Sequence, residues 1–163
     1  MIRVVVAAVL TVATLAAVAP AVDDARATRV DAVTEGTVER IERAGRTLAS
    51  TEDATRTREL AATRRIEVAI PRASLTVART RFVAVGGRPG GPGNRSVLAY
   101  ATASAPTRLR GLSLPVPVRT PDGPVVLRGA GRRAIEIALV RTPASAAGDA
   151  GGPALVVTRS TDA

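Results

Sequence analysis

Residues 65–71 read Arg65-Ile66-Glu67-Val68-Ala69-Ile70-Pro71, and here the chain changes character. Ile66, Val68 and Ile70 alternate with Glu67 and Ala69, which places three branched side chains on one face of an extended segment. Pro71 has no amide hydrogen to donate and ends the run. Before this point the apolar residues recur at helical spacing; after it they alternate. That switch predicts an α+β protein with an N-terminal transmembrane or stalk helix, followed by a small antiparallel β-sandwich or curled sheet.

Toward the C-terminus, further strands are predicted at 79–85, 96–102, 107–114, 125–128, 133–141 and 154–159. Residues 133–141 are the clearest, with Ile135, Ile137 and Leu139 sharing a face. Turn chemistry separates the runs. It comprises the Gly/Pro stretch from Gly86 to Gly93, the Pro121-Asp122-Gly123 turn, and a small-residue stretch from Ala147-Gly148-Asp149 to Pro153. Seven short strands with such breaks make residues 65–163 a β-rich domain.

Toward the N-terminus, Ser50 to Arg65 is polar, lacks a clear period and reads as a linker. Before it, Val30, Val33, Thr37, Ile41, Ala44 and Leu48 recur at three- and four-residue steps, a weak apolar helical stripe in which Gly36 and Gly45 are discordant. Residues 23–64 are therefore expected to form a helical stalk and linker. A helix packed on its own domain fits the same pattern.

Residues 4–22, VVVAAVLTVATLAAVAPAV, contain no charge. As a helix they span about 28 Å, close to a bilayer core of about 30 Å. Arg3 precedes them and Asp23-Asp24 follow, which predicts that the N-terminus is retained in the cytoplasm and the remainder lies outside. A secretory signal fits too, because Ala19-Pro20-Ala21 supplies an A-x-A cleavage site. The expectation is a single-pass membrane protein with residues 1–22 as anchor and residues 4–22 in contact with the lipid bilayer; the alternative is a secreted protein cleaved after Ala21. A buried core helix is a poor third reading, since a helix apolar on all faces needs more protein around it than this chain offers.

Composition narrows the chemistry. The chain has no Cys, His, Trp or Lys; all 23 basic residues are Arg. Disulfides, thiolate nucleophiles, Ser-His and Ser-Lys pairs, Schiff bases and the phosphate-loop lysine are excluded. The expectation is a protein that is not an enzyme, with no catalytic residues, no metal ligands and no cofactor. Charge is uneven: residues 1–67 hold ten Arg and ten acids, whereas residues 68–163 hold thirteen Arg and four acids and carry the whole net charge of +9. A basic domain attracts anionic partners. The arginines are scattered, and Phe82 and Tyr100 are the only aromatics, so a base-stacking nucleic-acid surface is not expected.

Local motifs add little. Gly129-Ala130-Gly131-Arg132-Arg133-Ala134 matches a dinucleotide fingerprint, but the alternating IEIALV that follows predicts a strand where the fingerprint needs a helix, so a hairpin turn is expected. The Gly/Pro stretch at 86–93 lacks the terminal Gly-Lys-Ser/Thr of a phosphate loop and is expected to be a flexible hairpin loop. Asn94-Arg95-Ser96 is an N-glycosylation acceptor in an expected surface loop, which makes Asn94 the one modification site. Glu52-Asp53 reads as a solvated pair, and Glu67 and Glu136 as partners for Arg across a sheet.

The stretches MIRVVVAAVL (1–10), PAVDDAR (20–26), RRIEVAIPRASLTVAR (64–79) and LRGAGRRAIEIALVR (127–141) together resemble an uncharacterised haloarchaeal family of single-pass membrane proteins of unknown function. The resemblance implies one anchor helix, a β-rich outer part and association with type II secretion or type IV pilus-like systems; no functional residues come with it. The layout is also similar to pilins, but the apolar run has no Glu at its fifth position, as a processed pilin subunit requires. The expectation is a non-enzymatic structural or assembly component facing the cell exterior, with other proteins of a surface assembly as partners. The alternative is a secreted β-domain that binds anionic cell-surface polymers.

Overall fold

A computed structural model describes residues 2–143 and 151–160. Helix α1 runs unbroken over Ile2–Thr51. A 3-10 turn at Arg58–Leu60 follows, then strands β1 (Thr63–Ile70), β2 (Thr80–Val85), β3 (Val97–Thr102), β4 (Arg108–Gly111), β5 (Val118–Arg119), β6 (Val125–Leu127), β7 (Gly131–Thr142) and β8 (Gly152–Arg159). Two four-stranded sheets form, ordered β1-β7-β8-β5 and β4-β3-β2-β6. The protein is α+β, a long helix with a curled, sandwich-like pair of sheets. Pairing is antiparallel except between β5 and β8, which are parallel.

The seven expected strands all form. The expected strand at 107–114 shortens to β4; the Leu112 amide makes one more rung with the Ser96 carbonyl opposite it (2.9 Å), and Pro115 follows soon after. β5 is the addition, only two residues long between Pro117 and Pro121, and too short to show alternation. The glycine motif at 129–134 does not make a hairpin. It carries the chain from β6 in one sheet to β7 in the other, with Gly129 and Gly131 at φ +80° and +122°. The stretch at 86–93 does form the β2–β3 hairpin loop. The expected turn at Ala147-Gly148-Asp149 lies outside the described residues.

Helix α1 has two halves of different character. Every residue from Ile2 to Val22 is exposed, including Val4, Val9, Leu10 and Leu15. From Ala27 onward one stripe is buried: Ala27, Val30, Thr34, Thr37, Val38, Ile41, Gly45 and Leu48. Residues 23–64 are thus not a stalk apart from a domain at 65–163. Of the two arrangements the sequence leaves open, the packed one forms, because Val30, Val38, Ile41 and Leu48 enter the same core as Ile66, Val68, Leu98, Tyr100, Ile135, Ile137 and Leu155. Four such side chains contribute about 1.5–3 kcal/mol each on burial.

The helix closes one side of the sandwich. Its second half lies against edge strand β1 of one sheet, and Asp31 and Glu35 reach Arg108 and Arg110 on edge strand β4 of the other. The stripe is rotated slightly from the expected one: Thr34, Val38 and Gly45 are buried, while Val33 and Ala44 are half-buried. Gly45 explains its own presence, since a Cβ there would lie 2.5 Å from Leu114 Cδ2 and 2.7 Å from Leu155 Cδ1. Opposite, the linker packs on the outer face of the first sheet, where Ala61 covers Ala138, Val140 and Val156.

Two poles result. Helix α1 enters the domain beside the loop that follows β1, where the Ala78 amide bonds the Arg26 carbonyl (3.3 Å). At the far pole lie the β2–β3 loop and Ser113, whose amide bonds Glu42 Oε1 (2.7 Å).

Candidate functional site

Three segments meet at the entry pole: the end of β1 with its loop, the start of β2, and the end of β6. They bring Arg72, Arg79, Arg81 and Arg128 around an open cleft of about 740 Å³ floored by Pro71, Thr80 and Gly129. All four guanidinium side chains are exposed, and no carboxylate lines the cleft among the described residues. Strand ends are where the sequence places these residues, since a charged side chain is cheapest to keep in water where the ladder stops. Each guanidinium offers a planar fork of donors. The cleft can therefore hold an anion, and phosphate or carboxylate fits its donors. Thr80 also lines it, with its hydroxyl buried and without a hydrogen-bond partner among the described residues.

Other surface features compensate themselves. A second hollow of about 410 Å³ gathers Arg40, Arg65 and Arg132 but includes Glu67, whose carboxylate meets Arg132 at 3.3 Å. Glu67 and Arg132 are diagonal neighbours across the β1–β7 ladder, so the expected cross-sheet pairing holds for Glu67. Glu136 stands directly opposite Arg65 in the β1–β7 register and also meets Arg58 of the linker (2.8 Å); Arg58 donates to Thr158 as well (2.5 Å), the residue opposite Glu136 on β8. These bonds pin the linker to the sheet.

The most connected polar cluster is Asp31, Tyr100 and Arg108. The Tyr100 hydroxyl donates to Asp31 Oδ1 (2.8 Å), and Arg108 donates to Oδ2. Burial pushes the Tyr100 pKa up, and the bond to the Asp31 carboxylate and its charge push it further. The Asp31 charge likewise raises the pKa of Arg108. The cluster fastens α1 to the second sheet. Among the described residues, no group of His, Cys, Asp or Glu is placed to hold a metal ion.

Asn94 is exposed at the far pole, at the end of the β2–β3 loop. Its carbonyl accepts from Arg119 Nη1 (3.1 Å), and the hydroxyl of Ser96 in the same triplet accepts from the Val118 amide (3.1 Å). Thr120 secures this loop by donating from both its amide (2.8 Å) and its hydroxyl (2.7 Å) to the Gly93 carbonyl. The sequence singled out Asn94 but not the cleft, where the fold brings Arg128 to Arg72, Arg79 and Arg81.

Fold and site together define a small two-sheet domain, built around the second half of a long N-terminal helix, whose exposed apolar first half is long enough to cross a membrane. Residues 1–160 match the family described as Domain of unknown function (DUF7311), and the chain belongs to that family. No curated protein and no solved structure matches it.

Proposed function

We propose that the protein is a single-pass, membrane-anchored, non-enzymatic structural or assembly component whose folded domain faces the cell exterior. The observation that carries this reading is the two-part helix: exposed and apolar over residues 2–22, packed into the core from Ala27. An exposed apolar surface of that length is unfavourable in water and is matched by a bilayer. The hydroxyls within it are already satisfied, Thr11 by the Ala7 carbonyl (2.9 Å) and Thr14 by the Leu10 carbonyl (2.8 Å), as lipid requires. Pro20 removes the donor for the Ala16 carbonyl; it sits near the end of the span, where interfacial water reaches. The outward orientation of the domain rests on Arg3 at the N-terminal flank, and Arg26 and Arg29 beyond the other flank weigh against it.

The resemblance to haloarchaeal proteins associated with secretion and pilus-like systems supports an accessory role in such an assembly, with other proteins of the cell surface as partners. The family itself has no assigned function.

A second reading has an observation in its favour. Cleavage after Ala21 would remove no buried helix residue, since burial begins at Ala27; the domain would then be secreted and its arginines offered to anionic cell-surface polymers. Carbonate washing of membranes with N-terminal sequencing of the membrane and medium fractions separates the two. Retention of a chain with its apolar segment intact is expected. A soluble form beginning at Val22 would favour secretion and remove the anchor.

A further inference from the structure

The loop after β1 carries a tight turn, with Ser74 and Val77 bonding each other through their backbones (3.0 and 3.4 Å) and Leu75 at the tip. Leu75 is 84% exposed, comparable with Ile2 at 81% in the apolar helix. Its carbonyl accepts from Arg26 Nε (2.6 Å), and the same guanidinium meets Asp23 Oδ1 (3.2 Å). The turn is therefore fixed at the level of Asp23 to Arg26, immediately beyond the apolar segment. Beside it, on the same pole, open the four arginines of the cleft with no carboxylate among them.

We propose that this pole is a membrane seat, in which Leu75 inserts at the boundary of headgroups and acyl chains and Arg72, Arg79, Arg81 and Arg128 bind the phosphates of anionic lipids. The inference rests on reading residues 2–22 as spanning the membrane. Arg26 lies about one helical turn, ~6 Å, beyond Val22, within an interfacial layer about 5–8 Å deep on each side of the hydrocarbon. A turn held at that depth meets lipid headgroups. An exposed leucine is costly in water and favourable there, and guanidinium forks match phosphate oxygens. Anionic lipid also supplies the countercharge that the cleft lacks in the protein, with attraction that salt weakens. The occupant is the bilayer and not a dissolved phosphate because the Leu75 carbonyl is bonded to Arg26, one turn beyond the span, and the cleft begins at Arg72 of the same loop. The domain is thereby held at a fixed tilt, with the far pole turned away from the surface.

The chain contains no tryptophan, so full-length protein carrying Leu75→Trp reports on this turn alone. It would be reconstituted into vesicles of phosphatidylcholine, or of phosphatidylcholine mixed with phosphatidylglycerol, with acyl-brominated lipid as membrane quencher and acrylamide as aqueous quencher. Leu60→Trp, at a leucine 77% exposed and away from this pole, is the reference. The expected result is a blue-shifted emission with several-fold stronger bromolipid quenching for Leu75→Trp than for Leu60→Trp in the anionic vesicles. Adding Arg72→Glu, Arg79→Glu and Arg128→Glu should abolish that gain while the protein still floats with the vesicles. Co-flotation with an indole as accessible to acrylamide as the reference overturns the seat and leaves the anchor standing. Displacement by soluble glycerol phosphate overturns the lipid assignment. Failure to co-float overturns the anchor and the seat together.

Discussion

Tyr100 is the only tyrosine of the chain, and its hydroxyl crosses from β3 to the helix to meet Asp31. Its pKa is raised by burial first and by the Asp31 bond and charge second. Where the unfolded chain has lost the phenolic proton, above about pH 10, the folded chain still holds it. The number of bound protons is then greater in the folded state, so stability falls as pH rises. This contribution is complete below the unfolded pKa and is lost as pH passes through the folded one. Spectrophotometric titration of this single phenol should have a midpoint above ~10 in the native protein and return to ~10 in denaturant. Tyr100→Phe should remove the alkaline fall and cost about 1–2 kcal/mol at neutral pH, since Asp31 loses one donor and keeps Arg108. A native titration identical to that in denaturant would show that the helix and β3 are not joined here in solution.

The two glycines of the packed helix half behave as opposites at the scale of the element. A Cβ at Gly36 would meet nothing within 4 Å, whereas one at Gly45 would press on Leu114 and Leu155. Gly36→Ala should therefore stabilise the protein by up to about 1 kcal/mol through helix propensity and unfolded-state entropy. Gly45→Ala should forfeit that gain and destabilise, because Leu155 is fully buried and has little room to shift. Denaturant midpoints of the two variants check this; equal gains would mean that the helix stands away from the sheets. In sequence both glycines merely weaken a helical stripe. The helix was legible from Val30, Ile41 and Leu48, and β1 and β7 from the alternation of their isoleucines. Gly45 was not, because its role depends on two leucines distant in the chain. β5 was missed for a related reason: two residues show no period, and its place is set by the Leu155 amide bonding the Pro117 carbonyl (2.9 Å).

Across the whole molecule, charge and apolar surface sort themselves by topology. Arg72, Arg79, Arg81 and Arg128 read as scattered, and only the antiparallel return of β1, β2 and β6 to one pole gathers them. They lie too far along the chain from residue 22 to count in the orientation of the span, which Arg3, Arg26 and Arg29 flank. The same topology makes the helix half from Ala27 to Leu48 inseparable from the sheets, while the half before Asp23 touches neither. A chain beginning at Val22 keeps every buried helix residue and should unfold at the same temperature as the full-length protein in mild detergent. A chain beginning at Glu52 loses Val30, Val38, Ile41 and Leu48 from the core. At about 1.5–3 kcal/mol each, their loss is comparable to the whole stability of a domain, about 5–15 kcal/mol, and this shorter chain should not fold. Circular dichroism melts of the three chains measure both expectations. A cooperative transition in the chain beginning at Glu52 would make the helix a free stalk after all; a clearly lower melting temperature for the chain beginning at Val22 would mean that the apolar half supports the domain directly.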